Sequence, residues 1–119
     1  MVLIYSSKSS GLQMPNGFNW GTQGSATVAI KFAAVNFMAK DITFANGFDY
    51  NLSTISDKQA VSLVTEADQV IFFNVNCLGY QYTLYAKYGR QYYINVYIEG
   101  VVDFIFGNGG RAYFENSVI

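Results

Sequence analysis

Apolar and polar residues alternate over short stretches along most of the chain, a period of two that is typical of β-strands. The clearest stretches are FMAKDITFAN (37–46), VIFFNVNCLG (70–79), QYYINVYIEG (91–100) and RAYFENSVI (111–119). Asn-Gly pairs at Asn16–Gly17 and Asn46–Gly47 mark turns between apolar runs. Helical periodicity is absent except for one turn predicted in TEADQ (65–69). The pattern therefore predicts an all-β fold.

These stretches recur at a nearly fixed distance. Aligned on one polar position, they place Asp41, Asn74, Asn95 and Asn116 in register, at steps of 33, 21 and 21 along the sequence. A fixed period of this size with β-type segments predicts a parallel β-helix with one coil per repeat. The longer step predicts one coil that carries a polar loop over 47–59. A β-sandwich is the alternative, but it does not require identical spacing with aligned asparagines and glycines.

Length and composition favour a folded domain. The chain has 119 residues, of which 51% are hydrophobic and 13% charged, so we expect one domain, or part of one, over residues 1–119. Aromatic residues make up 18% of the chain, and we expect most of them to form stacked ladders inside the coils. The chain has no histidine and a single cysteine, Cys77. These counts exclude a histidine-based triad, a histidine-ligated metal and an internal disulfide.

Charge and hydropathy argue against two kinds of partner. The net charge is −1 and no run of Lys or Arg occurs, so we expect no nucleic-acid partner. No apolar stretch reaches the roughly 18 residues that a spanning helix needs, so we expect no membrane partner. The first residues, MVLIYSSKSS, lack the basic region of a signal peptide.

A coil as long as this repeat would bring several polar side chains to one face. Adjacent parallel strands lie about 4.8 Å apart, so each residue stacks near the residue that follows it by one full repeat. Tyr82 then lies over Asp103, with Gln81 beside Tyr82. Gln59 precedes the strand AVSLV (60–64) of the preceding coil. The period therefore predicts that these four residues share one face.

The residue types at this face allow two interpretations. A carboxylate can attack an ester carbonyl while amide N–H groups stabilise the oxyanion. Alternatively, Asp103 caps a turn and the glutamines bond to backbone groups at strand edges. The residue types alone leave both interpretations open.

Six stretches of the sequence together resemble one family. They are GTQGSATV (21–28), FMAKDITFAN (37–46), KQAVSL (58–63), LGYQYTLYA (78–86), GRQYYINVYIEG (89–100) and VVDFIFGNG (101–109). In this order they resemble the pectin methylesterases, which are carbohydrate esterases with a right-handed parallel β-helix fold. The resemblance implies hydrolysis of the methyl esters of polygalacturonate to pectate and methanol. It also implies a secreted, extracellular enzyme of cell-wall modification that uses no metal or other cofactor.

The resemblance further implies roles for single residues. Asp103 matches the family's nucleophile, and Gln59 and Gln81 match its oxyanion donors. Where the family motif has an aspartate as general acid/base, this chain has Tyr82. A tyrosine phenol has a reference pKa near 10, against about 3.9 for an aspartic acid, so it is a poor base at neutral pH. Loss of general acid/base catalysis typically costs about 10²- to 10⁴-fold in rate.

A second departure concerns the end of the chain. The family has a Leu-Gly-Arg-Pro-Trp segment, with an arginine that orients the nucleophile, and no such segment follows VVDFIFGNG here. We therefore expect a truncated esterase core that is inactive or strongly impaired. Arg90 and Arg111 repeat with the coil, and we expect them to be ladder or surface charges, not substitutes for that arginine.

Two other functions stay open at this point. One is a module that binds pectin or polygalacturonate without hydrolysing it, with Tyr82 as a stacking surface. The other is a β-solenoid scaffold that associates with itself through uncapped coil ends, because repeat proteins need polar caps and exposed edge strands pair with other chains.

Overall fold

The computed structural model of the protein describes residues 2–5, 26–47, 60–101, 103–107 and 109–119. Within these ranges, all regular structure is β-strand. The strands are β1 (Val2–Tyr5), β2 (Val28–Ile30), β3 (Met38–Asn46), β4 (Leu63–Thr65), β5 (Val70–Leu78), β6 (Leu84–Ala86), β7 (Gly89–Ile94), β8 (Tyr97–Glu99), β9 (Ile105–Phe106) and β10 (Gly110–Glu115). The same ranges contain no helix long and apolar enough to cross a membrane.

The strands form two parallel sheets. In the described ranges, the first sheet has 6 strands in the order β1-β3-β5-β7-β10, with β8 also paired to β5. The second sheet has 4 strands in the order β2-β4-β6-β9. Apart from β7 and β8, which follow each other in the first sheet, the described strands alternate between the sheets, and each pairs in parallel with a strand one coil away. The predicted parallel β-helix is confirmed, and the alternative of a sandwich, which is built from antiparallel sheets, is wrong.

The register reproduces the predicted repeat. Leu63 pairs with Leu84, and Leu84 pairs with Ile105, so the members of each pair are one regular repeat apart. Between β3 and β5 the step is the longer one, because Ile42 pairs with Val75. The additional residues fall between β3 and β4, where the sequence predicts a loop. Residues 48–59 of that loop lie outside the described ranges.

The aligned polar residues mark a corner of the coil. Asp41, Asn74, Asn95 and Asn116 have positive φ angles of 57°, 53°, 51° and 48°. Aspartate and asparagine adopt this left-handed conformation more readily than other side chains with a Cβ. The Asn74 amide donates a hydrogen bond of 2.6 Å to the Asp41 carboxylate, and the Asn116 amide donates one of 2.5 Å to the Asn95 oxygen. The corner is thus specified by backbone conformation and held from coil to coil.

Aromatic side chains stack between coils in the core. Tyr93 lies between Phe72 and Phe114, with ring centroids 5.0 and 4.7 Å apart and interplanar angles of 12° and 14°. Phe72 and Tyr93 are fully buried. This column confirms the predicted interior ladder. A second column, Tyr92 and Tyr113, stacks at 4.9 Å on the outer surface, so not every ladder is interior.

A buried acid joins three coils at another corner. The Glu66 carboxylate, with its side chain 5% exposed, lies 3.0 Å from the Lys31 ammonium and 3.1 Å from the Lys87 ammonium. Burial by itself raises the pKa of Glu66, but the hydrogen bonds and charges of the two lysines outweigh it, and the pKa is lowered. This Lys31–Glu66–Lys87 ladder links the residues that follow β2, β4 and β6.

Candidate functional site

The predicted site lies at the corner that precedes β6 and β9. The Leu84 amide donates to the Phe104 carbonyl at 2.8 Å, and the Val101 amide donates to the Tyr80 carbonyl at 2.8 Å. These bonds flank Tyr82 and Asp103 and keep consecutive coils in register, so the two residues occupy equivalent positions. Both have left-handed backbones, with φ angles of 64° and 45°.

The structure locates one of the two predicted glutamines. Gln81 is half-buried, and its backbone carbonyl accepts a hydrogen bond of 3.0 Å from the Ala60 amide of the preceding coil. Gln59 lies outside the described residues, so its predicted place at this face stays a prediction. Gln81, Tyr82 and Asp103 are together called the site corner.

Buried hydrogen bonds hold the backbone of the site corner. Thr83 is fully buried, and its Oγ1 donates to the Glu99 carbonyl at 2.8 Å. The Thr83 carbonyl accepts a hydrogen bond of 2.9 Å from the Ser62 hydroxyl. These two bonds connect the turn at Tyr82 to the coil before it and to the end of β8.

One glycine is required for the corner to close. A Cβ atom at Gly100 would overlap the Cβ of Phe104 and would lie 2.8 Å from the Thr83 Oγ1. Only glycine leaves room for that approach. The glycine that recurs in the sequence as Gly79 and Gly100 therefore has a packing role at the turn that precedes the site residues.

Tyr82 is held by aromatic contacts. Its ring centroid lies 4.4 Å from that of Phe106 at an interplanar angle of 38°. Phe106 also stacks on Tyr85 at 4.2 Å and 16°. We call Tyr82, Tyr85 and Phe106 the aromatic patch. The patch has a signal in the sequence, because Tyr85 and Phe106 are one repeat apart and the coil period places them in contact.

The side chains at the site corner differ in solvent exposure. The Asp103 side chain is exposed, whereas Gln81 and Tyr82 are half-buried. Asp103 thus offers an accessible oxygen nucleophile, and Gln81 carries a carboxamide with N–H donors. Within the described residues, no group of three or more His, Cys, Asp and Glu side chains could hold a metal ion. Of the three side chains of the site corner, those of Tyr82 and Asp103 are ionisable.

Comparison with known sequences shows similarity to pectinesterases. A family model described as Pectinesterase matches residues 7–119. The Probable pectinesterase A of Aspergillus flavus is 51% identical over 92 residues, which is 77% of this chain and 26% of that protein. Pectinesterase 3 of Citrus sinensis is 46% identical over 88 residues, which is 74% of this chain and 14% of that protein. The chain thus spans about a quarter or less of the length of these curated relatives.

Solved structures give the same result for the fold. A pectin methylesterase from Yersinia enterocolitica matches with a TM-score of 0.83 and 36% identity, over 98% of this chain and 39% of that chain. The pectin methylesterase PemA of Erwinia chrysanthemi matches with a TM-score of 0.84 and 36% identity, over 98% and 36%. A pectin methylesterase in complex with hexasaccharide VII matches with a TM-score of 0.81 and 34% identity, over 98% and 36%.

Proposed function

Because this chain belongs to the pectinesterase family, we propose that it contains part of an ester-hydrolysis site for methyl-esterified polygalacturonate. The observation that carries the proposal is the site corner, where Tyr82 and Asp103 hold equivalent positions on consecutive coils beside Gln81. Asp103 is the proposed nucleophile, and Gln59 and Gln81 are the proposed oxyanion donors. The proposal includes an extracellular location, because the polymer is a cell-wall component.

The proposed chemistry has two stages. An Asp103 carboxylate oxygen attacks the ester carbonyl carbon, and the carbonyl electrons move to an oxyanion that the glutamine amides stabilise. Collapse of this intermediate breaks the bond to the methoxy oxygen, which leaves as methanol after gaining a proton. Water then attacks the acyl-enzyme and loses a proton, which releases pectate and restores the Asp103 carboxylate.

Both stages move a proton at the position of Tyr82. A general acid must protonate the departing methoxide, and a general base must then deprotonate water. A tyrosine is a weaker general base than an aspartate and performs the second task poorly. We therefore propose that hydrolysis by this chain is absent or strongly impaired, by about 10²- to 10⁴-fold relative to a site with an aspartate there.

Methanol release from methyl-esterified pectin tests this proposal. The purified chain is compared with its Asp103→Ala variant at neutral pH. Slow release by the parent that disappears in the variant supports Asp103 as the nucleophile. Release at the same rate in both chains, and above the rate without protein, would exclude Asp103 from that role. Rates equal to the rate without protein in both chains would favour one of the non-catalytic functions.

Two non-catalytic functions have support from specific observations. The aromatic patch offers ring surface for stacking against sugar, which favours a module that binds pectin without hydrolysing it. Among the strands that the structure describes, β10 pairs with β7 alone. Tyr113 of β10 is 58% exposed. That edge favours self-association of the chain.

A further inference from the structure

A groove crosses the coils at a corner away from the site corner. Its volume is about 500 Å³. One wall is a column of polar side chains on successive coils, namely Asn36, Gln69, Arg90 and Arg111. The other wall is a column of apolar and aromatic side chains, namely Ile71, Tyr92 and Tyr113. Because coils are stacked about 4.8 Å apart, the polar wall extends about 14 Å along the axis of the β-helix.

The two arginines of the polar wall differ in their partners. The Arg90 Nε lies 3.0 Å from one oxygen of the Asp68 carboxylate, and an Arg90 terminal nitrogen lies 2.6 Å from the other. The side-chain hydrogen bonds from Arg90 hold the pKa of Asp68 well below its ordinary value. Among the described residues, no carboxylate lies within ion-pair distance of Arg111, which is exposed one coil further on. Arg111 therefore contributes an uncompensated positive charge with five N–H donors.

The opposite wall offers apolar surface. The rings of Tyr92 and Tyr113 stack with centroids 4.9 Å apart at 19°. Ile71 continues the column across the next strand, because it pairs with Tyr92, and it is 38% exposed. The Tyr92 hydroxyl donates a hydrogen bond of 2.6 Å to the Glu115 carboxylate, which fixes the ring and raises the pKa of Tyr92 to about 12. This wall therefore presents aromatic and aliphatic surface that is open to solvent.

We infer that this groove is a second polysaccharide site, which binds a stretch of linear, carboxylate-bearing sugar chain. Sugar rings have apolar C–H faces that pack on aromatic surface, and their hydroxyls hydrogen-bond to amides such as those of Asn36 and Gln69. The carboxylates complement the charge of Arg111. A long, narrow groove with one polar and one apolar wall matches such a chain better than it matches a compact ligand.

The groove and the site corner lie at different positions along each coil. Its arginines begin β7 and β10, whereas Tyr82 and Asp103 precede β6 and β9. Each coil therefore passes through a strand of the second sheet between the two places. We expect substitutions at the groove to leave the backbone of the site corner in place, because β6 and β9 separate the two along the chain. The choice of a uronic acid as the sugar rests on the proposed function, whereas the location of the groove does not.

Residue-resolved titration tests the inference. The full chain, labelled with ¹⁵N, is titrated with a hexamer of galacturonic acid, and amide shifts give a separate dissociation constant for each region. We expect shifts at the amides of Tyr92, Arg111 and Tyr113. Arg111→Gln should weaken binding at these amides about tenfold or more, as expected for loss of one charge-assisted hydrogen bond. Binding at the groove should also weaken with added salt.

Three controls separate the outcomes. Asp103→Ala should leave the groove shifts intact, so failure of the esterase proposal does not remove them. A neutral glucose hexamer should bind the groove more weakly than the acidic hexamer. A poly-glutamate peptide should also bind more weakly, because it lacks sugar rings. Shifts confined to the site corner, an unchanged groove affinity in Arg111→Gln, or equal binding of the neutral hexamer or the peptide would overturn the inference.

Discussion

At the scale of single residues, Tyr82 combines an unfavourable backbone with altered chemistry. A left-handed conformation costs a typical side chain about 1–2 kcal/mol, and Tyr82 adopts one with a φ of 64°. The ring contact with Phe106 offsets part of that cost, because aromatic pairs contribute about 0.5–1.5 kcal/mol. Asp103, one coil later, has the same type of backbone with a side chain that suits it. The corner therefore accepts an aspartate at position 82 without any change in backbone.

A pair of substitutions isolates proton transfer at this position. Tyr82→Asp and Tyr82→Asn both remove the ring and both suit a left-handed backbone, but only the aspartate can exchange a proton at neutral pH. We expect methanol release to rise about 10²-fold or more in Tyr82→Asp and not to rise in Tyr82→Asn. Rates are measured on methyl-esterified pectin, with the double variant Tyr82→Asp, Asp103→Ala as background. Equal rates for the aspartate and asparagine variants would show that position 82 does not transfer protons.

At the scale of elements, the Lys31–Glu66–Lys87 ladder links β2, β4 and β6 at the place where each strand ends. The two ammonium groups lower the pKa of Glu66 below its ordinary value of 4.5 despite burial. The ionised carboxylate therefore contributes its full stabilisation above the ordinary pKa. This contribution is lost as the pH falls through the folded-state pKa.

The pH dependence of stability tests this ladder. Glu66→Gln should lower the free energy of unfolding at pH 7 by about 1–2 kcal/mol, a moderate value because the Lys31 side chain is 45% exposed. As the pH falls below about 4.5, the free energy of unfolding should decrease less in the variant than in the parent. Asp68 is present in both proteins and still titrates in both. Urea unfolding at a series of pH values gives the comparison. Glu99→Gln, at an exposed acid, is the control and should follow the parent. An identical pH dependence in Glu66→Gln would contradict a stabilising role.

At the scale of the whole molecule, the coil period predicts contacts within a column and little beyond it. The repeat predicts the strand register and the equivalent positions of Tyr82 and Asp103 on consecutive coils. It does not predict the contact of Tyr82 with Phe106 or of Asp68 with Arg90, because neither pair is separated by a whole repeat. Such diagonal contacts depend on side-chain direction, which no period encodes. The period does not predict the groove for the same reason, because the two walls of the groove are separate columns of side chains.

The edge of the first sheet gives a prediction about assembly. Because β10 pairs on one side only within the described ranges, its free backbone groups can pair with another copy. We expect concentration-dependent oligomers in sedimentation velocity experiments. Ala112→Lys places a charge on that edge at an exposed position and should shift the chain towards monomer. Tyr88→Lys, at a 50% exposed aromatic outside β10, is the control and should not. A monomer at all concentrations in the parent would rule out association through this edge.

The unequal coil lengths have a consequence for how such a sequence can change over evolutionary time. The chain between Val28 and its partner Leu63 is slightly longer than the chain between Met38 and its partner Ile71. Relative to the regular repeat, the segment between β2 and β3 therefore contains a few additional residues, and the segment between β3 and β4 contains more. Deletions and insertions at these corners leave every strand partner unchanged. A single inserted residue within β5 would instead turn its buried side chains outward. Length variation among relatives should therefore accumulate at corners, while the strands between them keep a constant number of residues.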